Sequence, residues 1–146
     1  MRVVLVDDHE ISRLGLKAIL ESNSYQVVGS FALPEKALKF IEKDPPDFLI
    51  IDLKLDSQSG LELGKKIKKK WPAVKTILLT GFLREVTLTP EVRTWFDGCV
   101  LKAEPSEDIL KALETAKKGG FFISPVLEKA LAEAEKELLT PGKEKY

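Results

Sequence analysis

Three carboxylates, a hydroxyl and an ammonium stand at the ends of short apolar runs: Asp7 and Asp8, Asp52, Thr80 and Lys102. If the fold brings them together, the carboxylates repel, and the low dielectric of a cleft magnifies that cost unless a cation sits among them. Mg²⁺ is the expected ion, because it takes hard oxygen ligands and no Cys/His cluster favours a softer metal. A carboxylate can also attack phosphorus and become an aspartyl phosphate, and Asp52 is the candidate for that role. Lys102 would then stabilise charge on the transferring group, and Thr80 would donate its hydroxyl to the bound phosphoryl. Pulling Thr80 and the loop after it inward would make a switch.

Positioning these groups requires strands that end on one rim. Five apolar runs read as strands: Val3 to Val6, Val27 to Val28 with Phe31 nearby, Phe48 to Ile51, Thr76 to Leu79, and Cys99 to Leu101. Helical spacing separates them, beginning with Ile11, Leu14, Ala18 and Ile19. Pro34 opens a second helix with Ala37, Leu38 and Ile41 on its face, broken by Pro45 and Pro46. Ser59 offers an N-cap to a third, carrying Leu61, Ile67 and Trp71 and stopped by Pro72. Thr89 and Pro90 read as an N-cap and first turn, so the fourth helix spans about Pro90 to Phe96, with Leu83 to Leu88 as a loop. Ser106 to Lys118 is the fifth, ended by Gly119 and Gly120. A last amphipathic helix from Ser124 and Pro125 places Leu127, Ala130, Leu131, Ala134 and Leu138 on one side.

Strands alternating with helices, and lacking strict polar alternation, imply a parallel sheet covered on both faces. The expected fold is α/β, a flavodoxin-like (βα)₅ three-layer domain with sheet order 2-1-3-4-5. The C-terminal amphipathic helix is expected as an appendage, not a sixth sheet unit. In that order strands 1 and 3 are neighbours where the winding reverses, the usual ligand position, so the carboxylates converge there. Residues 1–120 form the domain, 121–139 a linker helix and 140–146 a loose tail.

The totals narrow the function classes. With 146 residues and 44% apolar side chains, one domain with a single sizeable core is expected. Lys+Arg and Asp+Glu are 23 each, so no overall field favours nucleic acid or an anionic membrane. The single cysteine, Cys99, and the absence of a signal-like start favour the cytoplasm. No apolar run approaches the roughly twenty residues that cross a bilayer.

Val-Asp-Asp-His at 6 to 9, Ile-Ile-Asp-Leu at 50 to 53, Leu-Thr-Gly at 79 to 81 and Val-Leu-Lys at 100 to 102 resemble the receiver domains of bacterial two-component response regulators. Arg13-Leu-Gly-Leu16 and Gly119 to Pro125 resemble the subgroup carrying a LuxR/NarL-type helix-turn-helix output. The resemblance implies a phosphoacceptor signalling domain rather than a conventional enzyme, one that promotes its own phosphorylation and dephosphorylation. A sensor histidine kinase would be the donor and transcription the controlled output. It assigns Asp52 as the phosphorylated residue, Asp7, Asp8, Asp52 and the Lys54 backbone carbonyl to Mg²⁺, and Thr80, Gly81 and Lys102 to phosphoryl binding and switching. A homodimer through the fourth helix, fifth strand and fifth helix is a further family expectation. Leu139-Thr140-Pro141 resembles the entry to the output domain, and DNA is expected as a partner only through such a domain.

Two departures bear on switching. Receiver domains usually carry Tyr or Phe three residues before the lysine, where this chain has Cys99. Phe82 or the short Pro90 helix with Trp95 is therefore expected to relay the signal. Lys54, with its ammonium near the acceptor, is expected to change the lifetime of the phosphate. The other residues have ordinary readings: His9 as a solvated helix-start residue, Cys99 as core filling, and Lys65 to Lys70 as a solvated helix face. Competing functions are a stand-alone phosphoryl carrier or interaction module, an aspartyl-phosphate phosphatase, and a flavin protein. The phosphatase lacks an acid two residues after Asp52, and Asp7-Asp8 would repel a flavin phosphate.

Overall fold

The computed structural model describes residues 1–55, 59–81, 90–102 and 106–139. Phe82, Thr89 and the loop from Leu83 to Leu88 lie outside the described residues, as does the tail from Thr140.

The strands are β1 (Arg2–Val6), β2 (Gln26–Phe31), β3 (Phe48–Asp52), β4 (Lys75–Thr80), β5 (Gly98–Leu101) and β6 (Phe122–Ile123). The helices are α1 (Glu10–Ser22), α2 (Pro34–Lys43), α3 (Gly60–Lys70), α4 (Pro90–Trp95), α5 (Ser106–Lys117) and α6 (Pro125–Leu139). Pro34 begins α2, where its missing N–H leaves no bond unmade. Ser59 caps α3 by accepting the Leu61 N–H at 3.1 Å. All pairings within the sheet are parallel, in the order β2-β1-β3-β4-β5-β6.

Because successive strand residues face opposite ways, the strands feed two apolar layers. Val4, Val6, Leu49, Ile51, Leu78 and Leu101 point to the side covered by α2, α3, α4 and α6. On the opposite face Val3, Leu5, Phe48, Ile50, Ile77 and Val100 meet α1 and α5. Each large side chain so buried stabilises the fold by about 1.5–3 kcal/mol. Burial on both faces is why the strand sequences show no polar alternation.

The expected order 2-1-3-4-5 is present, extended by one strand. β6 pairs with β5 through Gly98 and Phe122, and Cys99 and Ile123. Ser124 continues the connection: its N–H donates to the Cys99 carbonyl at 3.1 Å and its Oγ accepts the Leu101 N–H at 3.0 Å. With Leu127 buried in the core, α6 completes a short sixth βα unit, contrary to its reading as an appendage. A two-residue strand has no period of its own, so only the open edge of β5 could reveal it.

α1 also turns differently from its apolar stripe. Ile11 and Leu14 are 86% and 60% exposed, while Leu20 is buried and Leu16 and Ile19 pack against the core. On the same helix the Arg13 guanidinium donates to the Asp7 carbonyl. Nor is the lysine row of α3 a purely solvated face. Lys68 pairs with Asp97 at 2.9 Å, Lys65 with Glu91 at 3.2 Å, and Lys69 lies over Trp95. Among the described residues no helix is long and apolar enough to cross a membrane.

Candidate functional site

Parallel pairing sets the rim. β1 and β3 are neighbours, β3 and β4 pair Asp52 with Leu79, and β4 and β5 pair Thr80 with Leu101. Asp7 and Asp8 follow β1, so the groups singled out by sequence all stand at the carboxyl edge of the sheet, where the strand order reverses.

Asp7, Asp8, His9 and Asp52 each offer a ligand atom, and these atoms all lie within 4.8 Å of one another. The Lys102 ammonium joins them, 2.8 Å from Asp7 Oδ2 and 3.0 Å from Asp52 Oδ2. Its backbone N–H donates to the Thr80 carbonyl at 2.7 Å, which fixes the end of β5 against β4. Thr80 itself is fully buried. The Lys54 N–H donates to Asp52 Oδ1 at 3.3 Å, so it is the amide of this residue that meets the Asp52 carboxylate. At Gly81 an added Cβ would meet open space, so sterics alone do not demand glycine there.

The β1–α1 turn is tied to its own acids. The His9 N–H donates to Asp7 Oδ1 at 2.9 Å, and His9 Nδ1 lies 3.1 Å from both Asp7 Oδ1 and Asp8 Oδ1. His9 is the exposed N-cap residue of α1, as read from the sequence, and it also touches the acid cluster. The sequence signal was its place beside two acids, although a turn residue can point either way.

Charge is unevenly shared. Burial pushes the Asp7 carboxyl up, but hydrogen bonds from Lys102, the His9 amide and Ser12 outweigh it and hold the group below its usual range. At Asp52 burial, helped by the negative charge of Asp7, prevails over Lys102 and raises the carboxyl. Lys102 is itself raised: burial disfavours its charge, but its contacts with Asp7 and Asp52 prevail. One ammonium thus serves two carboxylates, with Asp8 alongside. Like charges about 4 Å apart repel by roughly 4 kcal/mol at the effective dielectric of a protein surface. Asp7 Oδ2 and Asp8 Oδ1 are both buried, with the Lys102 ammonium 2.8 Å from the first and His9 Nδ1 3.1 Å from the second. Three hard carboxylates converging around a single ammonium fit a divalent cation.

Cys99 is fully buried, and burial pushes its thiol up to about 12, so it serves as core filling as its residue type suggests. α3 begins against the end of β3. Gly60 packs so closely on the Asp52 carbonyl that a Cβ would collide with it, and its N–H donates to the Leu53 carbonyl at 2.8 Å.

Residues 3–114 match the family model described as the response regulator receiver domain. The response regulator protein VraR of Staphylococcus aureus is 30% identical over 126 residues, covering 86% of this chain and 60% of that protein. This chain therefore spans about 60% of the length of such curated relatives. A structure of the RcsB response regulator of Salmonella typhimurium, described in terms of DNA interaction, superposes with a TM-score of 0.83 at 29% identity, over 92% of this chain and 67% of that one. The isolated REC domain of RcsB, solved with a phosphomimetic beryllium fluoride, gives 0.76 at 29% identity, over 90% and 98%. A LuxR-family two-component response regulator from Aurantimonas gives 0.82 at 26% identity, over 93% and 98%. With the site on the carboxyl edge of this sheet and the match running through nearly all of its strands, the chain belongs to the response regulator receiver domain family.

Proposed function

We propose that Asp52 accepts a phosphoryl group from a sensor histidine kinase and that the resulting change controls transcription through an output domain joined beyond α6. The observation that carries this reading is the Lys102 ammonium lying against both Asp52 and Asp7, with the Asp8 carboxylate in the same cluster. In the transfer, an Asp52 carboxylate oxygen forms a bond to phosphorus while the bond from phosphorus to the donor imidazole nitrogen breaks. The imidazole keeps the electron pair. Lys102 offsets charge on the phosphoryl oxygens, and Thr80 supplies a hydroxyl donor at the rim. Asp7, Asp8, Asp52 and the Lys54 carbonyl are assigned to hold Mg²⁺, which when bound neutralises charge on the transferring group. Gly81, beside Thr80, leaves room for the rearranged loop. Self-catalysed dephosphorylation would use the same groups, with water as the nucleophile.

A receiver that takes in β6 and α6 as well as residues 1–120, with the tail beyond, follows from the same reading, as does a cytoplasmic setting. Because β6 lies along the outer edge of β5, pairing of two copies would run through side chains of α4 and α5 rather than through that strand edge. Cys99 and Phe82 are the positions at which the switching route is expected to differ from an aromatic relay.

The test is incubation with Mg²⁺ and a small acyl phosphate, followed by intact-mass measurement of wild type and Asp52→Ala. Wild type gains one phosphoryl group and the variant none. A wild type that gains nothing, or a variant labelled equally, overturns the assignment.

A further inference from the structure

We propose that Ser124 is a positioning residue for Lys102, holding the end of β5 from its outer edge so that the ammonium stays between Asp7 and Asp52. The inference rests on the reading of Lys102 as the group that offsets charge on the phosphoryl oxygens, and it adds to that site a residue from outside the rim.

Lys102 follows directly on β5, so the placement of its ammonium depends on how the end of that strand is held. Toward β4 the tie is backbone to backbone: the Lys102 N–H donates to the Thr80 carbonyl at 2.7 Å. Consecutive amides of a strand point to opposite edges, so the Leu101 N–H faces away from β4. On that side the ladder has run out, since the pairing of β5 with β6 ends at Cys99 and Ile123. The Ser124 hydroxyl takes the place of the next strand carbonyl and accepts the Leu101 N–H at 3.0 Å. Its own N–H makes the rung before, to the Cys99 carbonyl at 3.1 Å. Ser124 is fully buried, and a buried amide without a partner is costly, so the end of β5 is bound to this hydroxyl.

The helix that Ser124 opens fixes it in turn. Its carbonyl accepts the Glu128 N–H at 3.0 Å, and Leu127 is buried in the same apolar layer as Cys99 and Leu101. A serine at a helix start commonly turns its hydroxyl to its own first turn. This one reaches across to the strand instead, and it joins α6 to the residue next to Lys102 by one side-chain hydrogen bond.

The experiment uses the full chain and compares wild type with Ser124→Ala and with Ser124→Cys, which fills similar space with a weaker acceptor. Ile41→Val, in the buried face of α2, controls for loss of stability alone. Two quantities are measured: the rate of labelling by a small acyl phosphate with Mg²⁺, and the Cε NMR signal of Lys102 in metal-free protein carrying isotope-labelled lysine, assigned by its loss in Lys102→Arg. Both Ser124 variants label about tenfold more slowly, part of the roughly hundredfold loss that a misplacement of about 1 Å can bring. Their Lys102 signal moves toward those of exposed lysines, while Ile41→Val keeps the wild-type signal and rate. If Ser124→Ala does not fold, Ser124→Cys carries the comparison. Wild-type labelling in the folded Ser124 variants, an unmoved Lys102 signal, or an equal loss in Ile41→Val overturns the proposal. A wild type that takes no phosphoryl group sinks the Asp52 reading, and the Lys102 signal then decides for or against Ser124 by itself.

Discussion

α1 and α3 both leave the site's rim, one after Asp8 and His9 and the other just beyond Asp52, yet they are anchored in opposite ways. α3 is tied at its cap, at its first turn and along the face toward α4. Its Ser59 cap is made, Gly60 presses on the Asp52 carbonyl, and Gly64 lies against the Phe96 ring with no room for a Cβ. Lys68 reaches Asp97, whose carboxylate also accepts the Thr76 N–H at 2.8 Å, and Lys65 and Lys69 hold α4. α1 has none of this density. Its N-cap residue, His9, makes no side-chain cap bond, Ile11 and Leu14 lie in solvent, and a cavity of about 210 Å³ opens beneath it toward Val100 and Ile109.

The difference teaches which helix is tied to β3. Gly60 of α3 meets the Asp52 backbone, and Gly64 and the lysine contacts tie α3 to Phe96 and α4. α1 makes its core contacts through Leu16, Ile19 and Leu20 and leaves a cavity beside them.

The strongest way to break the comparison is at the α3–α4 contact. Phe96→Ala removes a ring that is 2% exposed and should cost about 3–5 kcal/mol in urea unfolding. A loss below about 1 kcal/mol would mean that the two helices are not tightly packed. Next, Gly60→Ala forces a Cβ onto the Asp52 backbone and should cost about 1–3 kcal/mol, with NMR shifts concentrated at Asp52 and Leu53. A variant as stable as wild type would show that α3 is free to slide on β3. The smallest effect is on α1, where a Cβ at Gly15 meets nothing within 4 Å. Gly15→Ala should therefore stabilise by about 0.5–1 kcal/mol through helix propensity. Destabilisation instead would reveal that α1 packs more closely than α3 suggests.

Element positions were legible because their signals are local. Apolar runs marked the strands, Pro34 and Pro90 marked helix starts, Ser59 marked a cap, and each lies where the fold has it. The rim followed from the same pattern, since Asp7, Asp8, Asp52, Thr80 and Lys102 close their strands and parallel strands of one sheet end together. Contacts made by distant partners were not legible. Of the apolar stripe Ile11, Leu14, Ala18 and Ile19 on α1, Ile19 packs on the core while Ile11 and Leu14 lie in solvent, and Leu16 and Leu20 complete the buried face. The lysines of α3 looked solvated because Asp97 and Glu91 come from elements far along the chain.

By itself, then, the sequence determined the kinds of element, their order and the residues at the strand ends, because periodicity and backbone-restricting residues act over a few positions. Only the tertiary structure decided that Phe122 and Ile123 complete the sheet, that His9 joins the acids, and that one ammonium serves both Asp7 and Asp52. Those outcomes depend on which backbone edge is left open and which charges are buried together, and neither exists until the chain has closed on itself.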